Sequence, residues 1–402
     1  MSMSTTAAES SPGFAGYRRA DGRAGVRNHL ALVSTVALAN RIAELSAVRF
    51  DTSEAPGNDP VLLVRGEFQR GLQTQDAVLQ DEVLFRLITH PNIGAAVVLC
   101  HDRSTAHRWV QRLADGHTPV RVLAVMEYHG IQDAITQTVT ALSQLASVIR
   151  PMQRVWCPFS ELRFALECGG SDASSAVCSN PAIGRFVDRA VALGASVIVS
   201  ETAEFIGGED VVRAQSANAD IARRIIERIA LTESRMTRDG DRYRGTNPTA
   251  ENIEAGLTTL IEKTMGALCK IGRAPFVDCL DFGQAPSQPG LSFMDTPFFS
   301  PCSITGMVAA GAQITLFSMG VFNPSGNPLA PTIKVCGNPD TVKRWSDGID
   351  VALVDLIEGR IDLDEAGNRV FAAVLEVANG ARPHTESWGE GQFIIPRLLP
   401  TF

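Results

Sequence analysis

Along this chain, short near-continuous apolar runs alternate with segments in which apolar residues recur every three or four positions. Residues 30–36, 61–64, 95–100 and 120–125 are apolar runs of strand length, while 37–50, 76–89 and 129–145 carry helical spacing. The second part repeats the style, with strands expected at 162–168, 195–200, 276–279, 312–317 and 332–335 and long helices at 211–228 and 255–269. Strands apolar on both faces and separated by helices predict parallel sheets covered on both sides. The expected fold is therefore α/β, with two Rossmann-like parallel-sheet domains and helices on both faces. Two prolines in RPMQRVWCPFS (150–160) interrupt the pattern and place a boundary there. The expected division is a disordered tail at 1–13, an N-terminal α/β domain at 14–155 and a C-terminal catalytic α/β domain at 156–402. In open parallel sheets the ligand lies beyond the carboxyl ends of the strands. That points to the loops at 168–172, 201–204 and 295–297 and to the stretch after Ser318.

Composition narrows the class. Of 402 residues, 45% are hydrophobic and 20% charged, which excludes a disordered chain. Thirty-six basic against 44 acidic side chains give a net charge of −8, which argues against a nucleic-acid partner. No apolar run approaches the ~20 residues of a membrane span. The polar start MSMSTTAAESS has no apolar leader core, so a cytoplasmic protein without membrane attachment is expected. The eight cysteines include no CxxC pair. They are expected to be reduced, most of them packing as small hydrophobes.

The densest polar cluster is Glu167-Cys168-Gly169-Gly170-Ser171-Asp172, directly after an expected strand. Its glycines would let backbone N–H groups approach an anion, or the loop is a tight turn with Asp172 as a helix cap. Glu201 and Glu204 follow the next strand, suited either to acid–base or metal work or to the first turn of a helix. Glu262 and Lys263 are adjacent on a helix and so do not face each other; at least one is expected on a solvated face. His101, Asp102 and His107 near the end of the 95–100 run read most simply as a loop. Asp295 sits in a turn, and Lys334 interrupts an apolar strand, where a bare lysine would be costly. No GxGxxG after the first strand, no Walker-type loop and no HExxH motif is found.

Residues 14–28 (FAGYRRADGRAGVRN) resemble the opening of the large catalytic region of the altronate and galactarate dehydratase family, which also includes a sulfolactate sulfo-lyase. The ECGGSD loop, Asn180-Pro181 with Gly184, Ser200-Glu201 with Glu204, GLTT (256–259) with Glu262-Lys263, MDTP (294–297) and Pro331 with Lys334 match in order. The resemblance spans essentially the whole chain. It implies a hydro-lyase that removes water, or a related leaving group, from a small hydroxy or sugar acid. It also implies a divalent metal, iron(II) in most members, with Cys168 a possible ligand. Asp172, Glu201, Glu204 and Lys334 become the catalytic candidates. Arg27, Asn28, Gly169, Gly170, Ser171 and Asp295 become contacts for a carboxylate substrate. Longer members begin with a small β-rich domain that is missing here, so a separate small subunit is an expected partner, beside homo-oligomers. A catalytically silent binding or regulatory subunit is the alternative. This chain departs from the family at several loops: Ala37-Leu38 stands for Gly-Cys, Ile253 for lysine, and Met319, Val321 and Phe322 for polar and arginine positions. A substrate less polar than altronate or galactarate is expected from those changes.

Overall fold

The computed structural model describes residues 12–53, 59–67, 69, 71–237, 247–298 and 300–400. The expected tail lies almost wholly outside them. In chain order the strands are β1 (Gly13–Arg18), β2 (Ala24–Gly25), β3 (His29–Ser34), β4 (Leu62–Val64), β5 (Ile93–Cys100), β6 (Val120–Ala124) and β7 (Val155–Pro158). Then come β8 (Arg163–Cys168), β9 (Ser196–Val199), β10 (Phe276–Leu280), β11 (Gly290–Met294), β12 (Ile314–Met319), β13 (Thr332–Cys336) and β14 (Val351–Ala352). Two sheets are parallel throughout: β4-β3-β5-β6, and the seven-stranded β10-β11-β9-β8-β12-β13-β14. β5 and β12 are buried at every position, as strands covered on both faces must be. The α/β expectation holds.

A third sheet, β2-β1-β7, is antiparallel and was not foreseen. Its strands are short and carry Gly13, Gly16 and Pro158, residues that erase a strand signature. The segment read as a break at 150–160 thus contains a strand. The expected long helix at 211–228 is two helices, Glu209–Gln215 and Ala219–Met236, the second capped by Asn218 through Ile221 N. The helix expected at 255–269 runs Leu260–Leu268, because Thr259 caps it through Glu262 N. Of His101, Asp102 and His107, read as a loop, Asp102 caps the helix Arg103–Leu113 and His107 lies within it.

The two parallel sheets share one core. Ala31, Leu84, Leu87 and Val98 of the first half pack in a single cluster with Ala165, Ile198, Ile304, Met307 and Phe317 of the second. A buried polar clasp closes the seam. Asn92 accepts from Val26 N (2.9 Å) and donates to Gln313 O (3.1 Å) and Leu329 O (2.9 Å). Burial pushes the adjacent His90 down to about 3, so its ring is neutral. Nδ1 accepts from Asn92 N at 3.0 Å, which leaves Nε2–H to donate to Ala312 O at 3.1 Å. Arg27 forms an ion pair with Glu386, and Asp76 receives the N–H groups of Leu398 and Leu399.

Asn92→Ala would leave three buried backbone groups without a partner, each costing ~1–3 kcal/mol. Urea unfolding of this variant is expected to show a loss of about 3 kcal/mol or more. A loss well below ~1 kcal/mol would mean that the seam does not depend on this clasp.

Candidate active site

The large sheet changes direction at β8. From there the chain builds β9, β10 and β11 on one side and β12, β13 and β14 on the other. The carboxyl ends beside such a switch point diverge and leave a crevice. Here the crevice has a volume of about 380 Å³ and is lined by Cys168 at the end of β8, Gly169 and Gly170 just after it, Glu201 after β9 and Val321–Ser325 after β12, with Lys263 and Phe298 opposite. The loops after β8 and β12 are zipped together. Gly169 N donates to Ser318 O, while Gly320 N and Val321 N donate to Gly170 O at 3.1 and 2.7 Å. Gly170 has φ +67°, and a Cβ there would stand 2.1 Å from Val321 O, so only glycine fits. Gly169 has spent its N–H on the strand; the N–H of Gly170 has no partner among the described residues.

Glu201 is the one non-glycine residue with positive φ (+68°) among the described residues. A glutamate held there is strained and persists only if its surroundings fix it. Thr296 Oγ1 accepts from Glu201 N at 2.9 Å, and Cys168 N donates to its Oε2 at 3.1 Å. Behind Glu201 lies a buried charge cluster. Lys270 Nζ sits 2.7 Å from Glu204 Oε2 and 3.6 Å from Glu201 Oε2. Lys263 Nζ lies 3.5 Å from Glu204 Oε1, donates to Asn247 Oδ1 at 3.0 Å and packs over the Phe298 ring. The four charged side chains are all at most 3% exposed.

These contacts split the two carboxyls. Burial, reinforced by Glu204, pushes Glu201 up to about 7 against the pull of the lysines. Burial would also raise Glu204, but Lys270 and Lys263 hold it below the ordinary carboxylate value. Two neighbouring carboxyls driven apart in this way are the pattern of an acid–base site. Beneath the loop, burial and then Glu201 push Glu167 well above the usual range; its Oε2 accepts from Ser303 Oγ. Burial pushes the Cys168 thiol up to about 12, and its Sγ lies 3.2 Å from Ser171 Oγ.

Of the residues singled out in the sequence, Cys168, Gly169, Gly170 and Glu201 line the cleft, with Ser171 and Glu204 packed directly behind. The others do not face it. Asp172 is a cap: its carboxylate accepts from Ser175 N, Ser174 Oγ and Asn338 Nδ2. Lys334 is fully buried, its ammonium over the Phe317 ring and donating to Ser325 O, and burial drives it well below the usual lysine value. Arg27 is spent on Glu386 and on the carbonyls of Val26, Val377 and Ala381. Asn28 ties Arg19 to Ile149 O. Asp295 accepts from Thr202 Oγ1 and borders a separate groove with Arg228. Met319 is core, whereas Val321 and Phe322 do form a wall of the cleft; Ile253 is not part of that wall.

Lys263 was visible as part of a motif, and Lys270 was missed. Glu262 is the solvated neighbour, and Lys263 the buried one. The available signal was spacing: seven residues, two helical turns, put both lysines on one face of LIEKTMGALCKIG.

A buried, charge-compensated acid–base pair at the switch point of a parallel sheet marks an α/β enzyme. Comparison with known proteins gives its family. The signature described as D-galactarate/Altronate dehydratase, C-terminal, matches residues 159–401. The one described as D-galactarate dehydratase/Altronate hydrolase, second domain, matches residues 16–150. A (2R)-sulfolactate sulfo-lyase subunit beta of Chromohalobacter salexigens is 32% identical over 395 residues, covering 96% of this chain and 97% of the relative. The altronate dehydratase of Bacillus subtilis is 30% identical, covering 91% of this chain and 74% of its own. The galactarate dehydratase (L-threo-forming) of Escherichia coli is 27% identical, with 94% and 75% covered. The chain belongs to the D-galactarate/altronate dehydratase family of lyases.

The family resemblance implies a divalent metal, and the donor set does not fit one. Two ammonium groups already sit on the carboxylates where a dication would bind. Among the described residues no three His, Cys, Asp or Glu side chains are grouped to hold a metal ion. No helix of the described residues is long and apolar enough to cross a membrane.

Lys270→Met would leave a buried carboxylate with only half its compensation. It is expected to lower stability by about 3–5 kcal/mol in chemical denaturation, with much of the loss recovered in Lys270→Met/Glu204→Gln. Equal losses in the single and double variants would show that the charge balance is not what holds this cluster.

Proposed function

We propose that this chain eliminates water, or a related leaving group, from a small hydroxy acid, with Glu201 as the base. The observation that carries this reading is a carboxyl poised at about 7, fixed in a strained conformation and open to a cleft that also presents Lys263. A proton α to a carboxylate is very weakly acidic, so its removal needs a base and compensation for the charge that builds on the substrate. Glu201 is free to ionise near neutral pH. The Lys263 ammonium and the open N–H of Gly170 offer positive charge and a hydrogen bond to the substrate carboxylate as it becomes enolate-like. Lys270 and Glu204 keep the base in place and set its proton affinity. Breaking the C–H bond moves a proton to Glu201. Collapse of the enolate expels the β-substituent, and the same proton is returned to the departing hydroxyl. Water leaves and the enzyme is unchanged.

The apolar wall of Val321 and Phe322, with Phe298, Pro301 and Pro324 around it, favours a substrate shorter than a six-carbon sugar acid or one with an apolar group. A relative named as a subunit beta also supports a second kind of subunit as a partner for this chain.

Glu201→Gln is expected to lower kcat by about 10²–10⁴-fold with little change in fold. In the wild type the base works ionised, so kcat/KM should rise with pH through about 7. A pH-independent rate, or full activity in Glu201→Gln, would remove Glu201 from this role. Leaving two sugar hydroxyls unpaired against the apolar wall costs about thirtyfold or more in affinity. Efficient turnover of altronate or galactarate in a hydroxy-acid screen would overturn the substrate assignment.

A further inference from the structure

The opposite edge of the large sheet holds a second polar recess. It has a volume of about 510 Å³ and lies where β8, β9 and β12 begin, between the Asp21–Arg23 turn of the first half and Ser160, Arg163 and Gln288 of the second. Arg163 enters it from the first position of β8. Its Nη1 donates to Ala310 O at the end of the helix Ser300–Ala309, and Gly311 makes room: a Cβ there would stand 2.7 Å from that nitrogen. The rest of the guanidinium is uncompensated. Nε is buried without a hydrogen-bond partner, and among the described residues no carboxylate lies within ion-pair distance. The acids that border the recess are committed elsewhere: Asp21 pairs with Arg23 and Glu161 with Arg18.

We propose that this recess is a binding site for a small oxyanion, carboxylate or phosphate, held by Arg163 and separate from the catalytic cleft. A guanidinium offers five N–H donors in a planar fork that suits two oxygens of such an anion. Here one donor is used on a carbonyl at a helix C-terminus and the Nε–H is buried, so the N–H groups left for an anion are on the two terminal nitrogens. Burial, followed by the like charges of Arg23 and Arg86, depresses Arg163 to about 10, and no acid opposes them. The two acids that border the recess are already paired with other arginines, so a small anion can supply the counter-charge that Arg163 lacks. The ligand would touch both halves of the chain, since Asp21–Arg23 and Pro91 face it from one side and Arg163 and Gly311 from the other. Its binding would therefore tighten the seam that His90 and Asn92 close.

The test is thermal unfolding of the intact protein in inorganic phosphate, succinate or chloride at constant ionic strength. A bound anion at tenfold excess over its Kd should raise the midpoint by roughly 2 °C over chloride. Phosphate alone, or succinate alone, doing so identifies which oxyanion the recess takes. Arg163→Gln should abolish the shift while leaving catalytic turnover intact, and Arg163→Lys should retain a weaker one. As a measurement that needs no variant, phenylglyoxal modification of the wild type is followed by mass spectrometry of the peptide bearing Arg163. The effective anion should protect that residue selectively. No midpoint shift with either anion, an equal shift in Arg163→Gln, or unprotected Arg163 at saturating anion would each overturn the proposal.

Discussion

Two carboxylates and two ammonium groups stand almost completely out of water around Lys270, and much of the second half of the chain is arranged to make that tolerable. An ion buried alone costs several kcal/mol even after relaxation, so Glu204 and the two lysines are acceptable only together. That condition fixes the helix Leu260–Leu268 and its one-turn extension against the loop after β9. It also explains how Glu201 is kept in a left-handed backbone conformation: Thr296, Cys168 and Lys270 hold it from three directions. Strain at the base and charge compensation behind it are parts of one arrangement.

The parallel sheets were legible because their strands are apolar on both faces and cannot be read as anything half-exposed. β5 and β12 announce themselves in this way. β1 and β7 did not, since glycines and a proline dilute a short antiparallel strand whose pairing is set by residues more than a hundred positions away. The helix break at 216–218 was hidden because apolar spacing continues across it, and only Asn218 gives a local sign of a new start.

At the site, the sequence pointed to loops that border the cleft but did not sort the acids that face it from those that cap. A strand-end acid is equally suited to capping and to catalysis, and only the surroundings decide between the two. Asp172 meets free N–H groups and caps; Glu201 meets a cleft. Lys334, one of the catalytic candidates, interrupts an apolar strand, where a bare lysine would be costly. Its aliphatic stem instead carries the ammonium across the Phe317 ring to a backbone carbonyl, so the interruption is internal to the core. Arg27 belongs to a motif shared with the family, yet its partners are Glu386 and carbonyls near residue 380. The resemblance made that residue a substrate contact, but a motif can be kept for assembly as readily as for chemistry.

The docking of Leu398 and Leu399 onto Asp76 has a consequence for how the molecule is made. A ribosome delivers the helix Thr74–Ile88 long before it delivers residues 398 and 399. Much of the apolar face that this helix turns toward Ile304 and Met307 also has to wait for the second sheet. For most of synthesis the first half is therefore a collapsed but unfinished body with sticky surface showing, a state prone to self-association. Its final consolidation cannot precede the synthesis of residues 398 and 399, more than three hundred positions after the helix that they tie down.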